Sequence, residues 1–104
     1  MADQSPLEIT DNRADQRFEA RLGERLVGWG NYLIAGDTII FTHTRVPAEF
    51  EGRGVASRLV RHELEDVRSR GLRVTPRCPF VAAYIRRHPE YADLVADDPN
   101  GGAA

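Results

Sequence analysis

The sequence predicts an α+β domain in which an antiparallel meander continues into a parallel strand pair, with helices packed on the sheet. Three features lead there. Between Leu7 and Val46, apolar residues alternate with polar ones or gather in short β-branched runs broken by Gly and Asp. From Val55 the period becomes helical. Leu72-Arg73-Val74-Thr75 then reads as a further strand, and a strand–helix–strand connection of this kind favours parallel pairing.

Each element has its own local cause. Leu7-Glu8-Ile9-Thr10 alternates, and Asp11 to Gln16 is a polar turn. Arg17 to Leu22 alternates again, with Phe18, Ala20 and Leu22 on one face. Gly23-Glu24 is a two-residue hairpin loop into Arg25–Ile34. Gly28 and Gly30 interrupt that strand and predict a bulge or a close backbone approach. After the Ala35-Gly36-Asp37 turn, Thr38 to Val46 is almost wholly β-branched or aromatic, and Pro47 stops it. In the long helix, Val55, Ala56, Leu59, Val60, Leu64 and Val67 share one face, opposite Arg58, Arg61, Glu65, Asp66 and Arg68. Arg68 and Arg70 suit its negative end, and Gly71 is its C′ residue. Pro79 begins a shorter helix that Pro89 ends, and Glu90 to Val95 adds a helical turn or a short strand. The expected organisation is a flexible tail over 1–6, one domain over 7–96 and a flexible tail over 97–104.

Composition narrows the function classes. A chain of 104 residues with a formal net charge of −2 is one domain without the basic excess of a general nucleic-acid binder. Its basic residues are all arginine. The single cysteine excludes an internal disulfide, and no run is long and apolar enough for a membrane span. No group of His, Cys, Asp and Glu has metal-ligand spacing, so no metal is expected. A cytoplasmic monomer without nucleic-acid or membrane partners is the expectation.

Chemistry concentrates at Val46 to Val60, where a strand, the Gly52-Arg53-Gly54 turn and a helix start follow one another. The first N–H groups of a helix have no intrahelical partner, and glycine lets the backbone approach an anion closely. This turn is therefore a phosphate-binding candidate.

With that turn in place, the chain resembles the core of the GNAT superfamily of acyl-CoA N-acyltransferases. The family signature is Gln/Arg-x-x-Gly-x-Gly/Ala, and Glu49-Phe50-Glu51-Gly52-Arg53-Gly54 matches at both glycines while departing at Glu49. It is similar in particular to small single-domain members of the YjdJ/NATD1 type. The stretches that carry this are His43-Thr44-Arg45-Val46-Pro47, Glu51 to Ala56, and Cys78 to Tyr91, in that order. Arg45 departs from the acidic residue common among relatives. The resemblance implies acetyl-CoA as cosubstrate, wedged where the two parallel strands splay. Its pyrophosphate would rest on Gly52, Arg53, Gly54, Val55 and Ala56, its pantetheine on the backbone near Thr44 and Val46, with Arg58, Arg86 and Arg87 assisting. It also implies transfer of acetyl to a small-molecule or protein amine that the sequence does not name. The alternatives are a CoA or acyl-CoA binding module with little turnover and, third, a protein-interaction domain that keeps the fold.

Three residues are catalytic candidates. Cys78 stands at the start of the second helix, where the helix end and Arg77 favour a thiolate, and it is either a nucleophile or a small buried residue. His43 lies on the central strand, on the face opposite Thr42 and Thr44, as a base or a structural histidine. Tyr84 resembles the tyrosine that protonates the leaving thiolate in many relatives, and its helix face suits core packing equally.

Overall fold

A computed structural model describes residues 6–96. The segment expected as a C-terminal tail, 97–104, and all but Pro6 of the N-terminal one lie outside the described residues. Five strands are formed: β1 (Leu7–Asn12), β2 (Arg17–Leu22), β3 (Arg25–Ala35), β4 (Thr38–Arg45) and β5 (Arg73–Pro76). Helix α1 (Val55–Arg70) joins β4 to β5, and α2 (Pro79–Arg87) follows β5. Short 3-10 turns occupy Ala48–Phe50 and Pro89–Leu94. The sheet order is β1-β2-β3-β4-β5, antiparallel up to β4 and parallel between β4 and β5.

The boundaries follow from local chemistry. Strand β1 runs two residues past the alternating segment, because Asn12 caps the turn with its own side chain, accepting from the Asp15 N–H. Helix α1 ends in a Schellman motif: Gly71 takes φ 69°, its N–H reaches Arg68 O, and the Leu72 N–H reaches Val67 O. That bonding holds Leu72 out of β5. Helix α2 starts at Pro79, which loses no hydrogen bond at the first helical position. The segment after it takes the helical alternative, a 3-10 turn over Pro89–Leu94, and is followed by a single isolated parallel bridge from Val95 to Val74 and not by a strand.

Two register shifts decide which side chains meet. Ala20 pairs with Gly28 and Arg21 with Leu26, so Val27 is an extra residue in β3. Asn31 pairs with His43 and Tyr32 with Phe41, so Thr42 is an extra residue in β4. The second bulge resets the alternation. Ile39 and Phe41 are buried in the core before it. After it Thr44 takes their face, while His43 and Arg45 turn to the other.

The face of the sheet under α1 carries Phe18, Ala20, Gly28, Gly30, Tyr32, Ile39 and Phe41 against Val55, Leu59, Val60, Leu64 and Val67 of the helix. Each large side chain buried here contributes about 1.5–3 kcal/mol. Gly28 and Gly30 are close-approach positions, for a Cβ at Gly28 would press on Val55 and one at Gly30 would collide with Glu63. The apolar stripe read from the sequence therefore holds one member that it missed, the fully buried Glu63.

Candidate active site

The parallel ladder between β4 and β5 stops at Phe41↔Pro76, yet β4 runs on to Arg45. Past Phe41 the β5 side of β4 has no strand partner among the described residues. Strand β5 turns away there and leads to Cys78, whose N–H donates to Phe41 O at 2.8 Å. The backbone edge of Thr42 to Val46 is thus left facing the start of α2, and an extended ligand can use its N–H and C=O groups.

At the end of this edge the chain passes through the 3-10 turn into Gly52-Arg53-Gly54. Gly52 has φ 82° and Gly54 has φ 77°, a left-handed conformation that a side chain makes costly. A Cβ at either position would meet no atom within 4 Å, so the glycines serve backbone shape and leave open space before the helix. Gly54 is the N-cap of α1, and no side chain caps that end. The start of α1 borders a cleft of about 220 Å³ lined by Val46, Phe50, Glu51, Gly52, Gly54, Val55, Ala56, Ser57 and Phe80. Arg53 lies over the Phe50 ring at 5.8 Å.

Cys78 is the N-cap of α2 and is 3% exposed. Its Sγ lies 3.2 Å from Thr44 Oγ1, so the thiol touches the free edge of β4 through a side-chain hydrogen bond.

The model of the GCN5-related N-acetyltransferase family matches residues 17–94. The chain belongs to this family. Among curated proteins it is 27% identical over 88 residues to Protein NATD1 of Xenopus tropicalis, covering 82% of this chain and 80% of that one. It is 28% identical over 88 residues to the Mus musculus protein of the same name, covering 81% and 78%. A solution structure of a GCN5-like protein from Staphylococcus aureus superposes with a TM-score of 0.68 at 22% identity, over 94% of this chain and 96% of that one. The ribosomal-protein-alanine N-acetyltransferase of Brucella melitensis biovar Abortus 2308 superposes with a TM-score of 0.52 at 19% identity, over 79% of this chain and 62% of that one. The two superpositions are likenesses of fold. Family membership makes this an acetyltransferase that works from an acyl-CoA in general terms.

Against the GNAT-family frame, the residues singled out from the sequence separate into two groups. Val46, Gly52, Gly54, Val55 and Ala56 line the cleft beside Arg53, and Thr44 and Cys78 meet at the β4 edge. The others lie elsewhere. Arg58 lines a different hollow of about 390 Å³ with Leu7, Ile9, Arg61, His62 and Glu65. Arg86 and Arg87 are exposed at the last turn of α2, about 12 Å along the helix from Cys78. His43 is exposed, and the ring contact recorded for it is Nδ1 with Thr42 Oγ1 at 3.3 Å. The Thr42 bulge sends it away from the face that holds Thr44 and Cys78. Tyr84 is buried in a stack, 4.0 Å from the His88 ring and 6.2 Å from Tyr91. Burial, chiefly, raises its pKa, so its hydroxyl stays protonated. The structure does not bring His43 or Tyr84 into contact with the thiol.

Two residues near the site were missed in the sequence. Phe80 is 36% exposed and walls the cleft, one residue past Pro79 on a helix whose apolar pattern suggested burial. Glu63 is 0% exposed, and neither carboxyl oxygen has a hydrogen-bond partner among the described residues. Burial pushes its pKa well above the usual carboxylate range, with nearby Cys78 and Asp11 acting in the same direction. The signal for Glu63 was present: it sits at i+4 from Leu59 and i+3 from Val60, inside the apolar stripe.

Proposed function

We propose that the protein transfers an acetyl group from acetyl-CoA to a small-molecule or protein amine, with the CoA pyrophosphate on the backbone amides of Gly52 to Ala56. The observation that carries this reading is the uncapped α1 N-terminus behind two left-handed glycines, opening on a cleft next to the free edge of β4. Helix-end amides and dipole favour an anion there. The pantetheine would follow the Thr44–Val46 edge, which leads to Cys78. In this reading Cys78 accepts the acetyl group and an amine then removes it. A reducing, cytoplasmic setting goes with the free thiol. The near-complete burial of Cys78 favours a second reading, CoA binding with little turnover.

Ser57 is exposed on the rim of the cleft, so Ser57→Glu adds a carboxylate where phosphates would sit without disturbing the core. The helix end tolerates that charge, so the variant should fold. Millimolar CoA should raise the melting temperature of the natural protein and leave that of Ser57→Glu nearly unmoved. An equal shift in both would place the phosphates elsewhere. Intact mass after acetyl-CoA treatment separates the two readings. An acetyl adduct lost in Cys78→Ala supports transfer through the thiol. Neither adduct nor acetylated amine leaves the binding module.

A further inference from the structure

Glu63 has no role in the site as described so far, and its position is unfavourable for a purely structural residue. Its carboxyl is sealed in the core without a hydrogen-bond partner among the described residues, which destabilises a fold. An apolar residue of similar volume would pack there without that cost. Strand β3 nonetheless accommodates the carboxyl, since a Cβ at Gly30 would collide with Glu63 Oε2. The carboxyl therefore occupies the place where Gly30 would carry a side chain.

Gly30 pairs across the ladder with Thr44. Side chains opposite one another on one face of an antiparallel pair stand ~4.5–5.5 Å apart at Cβ. The Glu63 carboxyl is thus about one cross-strand spacing from Thr44. The Thr44 hydroxyl is in turn 3.2 Å from Cys78 Sγ. Carboxyl, hydroxyl and thiol lie in that order from beneath α1 to the free edge of β4, with a hydrogen bond between hydroxyl and thiol and none between hydroxyl and carboxyl.

We propose that Glu63 is the proton acceptor for the Cys78 thiol, with the Thr44 hydroxyl as the link between them. The inference rests on the reading that Cys78 accepts the acetyl group. Once rotation of the Glu63 or Thr44 side chain brings the two within hydrogen-bond reach, the Cys78 S–H proton passes to Thr44 Oγ1 as the Thr44 hydroxyl proton passes to the Glu63 carboxylate. The net change is one S–H bond broken and one O–H bond formed. The thiolate then attacks the thioester carbonyl carbon, its C–S bond forms, and the C–S bond to CoA breaks. The departing CoA thiolate takes a proton from the Thr44 hydroxyl as Glu63 returns one to Thr44, which restores the carboxylate. Glu63 acts through Thr44 and so positions the proton without touching the substrate.

The surroundings fit that task. An ordinary carboxylate is a weak base for a thiol, by about four pKa units, and burial narrows the gap by raising Glu63. The titratable groups that bear on Glu63 are Cys78 and, from β1, Asp11. Asp11 accepts from the Tyr32 hydroxyl and pairs with Arg13 and Arg70, so its charge is already partnered.

The test is the rate at which iodoacetamide alkylates Cys78, the single cysteine, measured against pH. A pair that shares one proton titrates in two steps, with a flat stretch between them. The natural protein should show both steps. Glu63→Gln should show one step and alkylate roughly tenfold or more slowly near neutrality. Thr44→Val should copy Glu63→Gln, and Thr44→Ser should restore the two steps. In the natural protein, the infrared band of a protonated carboxyl should persist at pH values where thiolate absorbance has already appeared. Superimposable profiles for the natural protein and Glu63→Gln would overturn the proposal. If Glu63→Gln does not fold, an unchanged Thr44→Val profile or no carboxyl band would overturn it instead. Alkylation needs no acetyl-CoA, so a two-step profile without an acetyl adduct would support the pair and overturn only the transfer reading.

Discussion

Glu19 and Glu63 are both buried glutamates on the same sheet and helix pair, and they have opposite surroundings. Glu19 lies on β2, on the face away from α1, and is 5% exposed. Arg17 donates to it at 2.7 Å, Arg21 at 2.9 Å and Asn12 at 3.1 Å. Burial works to raise its pKa, but the hydrogen bonds from Arg17, Asn12 and Arg21 outweigh that and hold it at about 2. Glu63, under α1, has burial without donors, and its pKa moves up. Burial alone therefore does not fix the state of a carboxyl; its partners do. One face of the sheet keeps a permanent anion inside an arginine clamp. The other keeps a carboxyl whose charge is easily lost, beside the only thiol.

The largest effect expected from this comparison is at Gly30. Gly30→Ala forces a methyl group into the space of the Glu63 carboxyl and should cost about 1–3 kcal/mol. Adding Glu63→Ala should recover most of that loss, a coupling that a double-mutant cycle of denaturant midpoints measures. A freely tolerated Gly30→Ala would mean that the carboxyl can swing away, and the contrast between the two glutamates would weaken.

Glu19→Gln comes next. A carboxyl whose folded pKa is depressed contributes stability above its unfolded pKa and loses it as pH falls through the folded one. The variant should lose roughly 2 kcal/mol at pH 7. The deficit should fade as pH drops from the ordinary carboxylate range toward the Glu19 value of about 2. Melts of both proteins across that acid range check it, and a deficit that persists at the acid end would implicate packing instead of charge.

Glu63→Met should have the smallest effect and the opposite sign. A carboxyl with a raised folded pKa gives stability that is full below its unfolded pKa and is lost as pH rises through the folded one. Removing it should stabilise the protein by about 1 kcal/mol at pH 8 and much less at pH 4. The comparison breaks if Glu63→Met is destabilised equally at both pH values. A gain in stability accompanied by slower Cys78 alkylation would show a residue kept for chemistry at the expense of stability.

The sequence alone determined the order of elements and the glycine turn before α1, because these depend on local rules. Gly52, Gly54, Pro47, Pro79 and Gly71 act through their own backbone angles, and the apolar period of α1 reports its own buried face. The family resemblance was legible for the same reason, since it rests on short stretches such as the glycine turn and Cys78 to Tyr91. The tertiary structure decided which of the candidates meet. The one-residue bulge at Thr42 turned His43 away from Cys78 and brought Thr44 to it, and strand alternation alone could not place that extra residue. Arg86 and Arg87 went to the far end of α2 because a rigid helix fixes their distance from its start. The burial of Glu63 depends on a glycine 33 positions away in the chain, which only cross-sheet packing sets against it. Local chemistry is written residue by residue, whereas a site made of residues on different elements exists only once bulges and registers have set their faces.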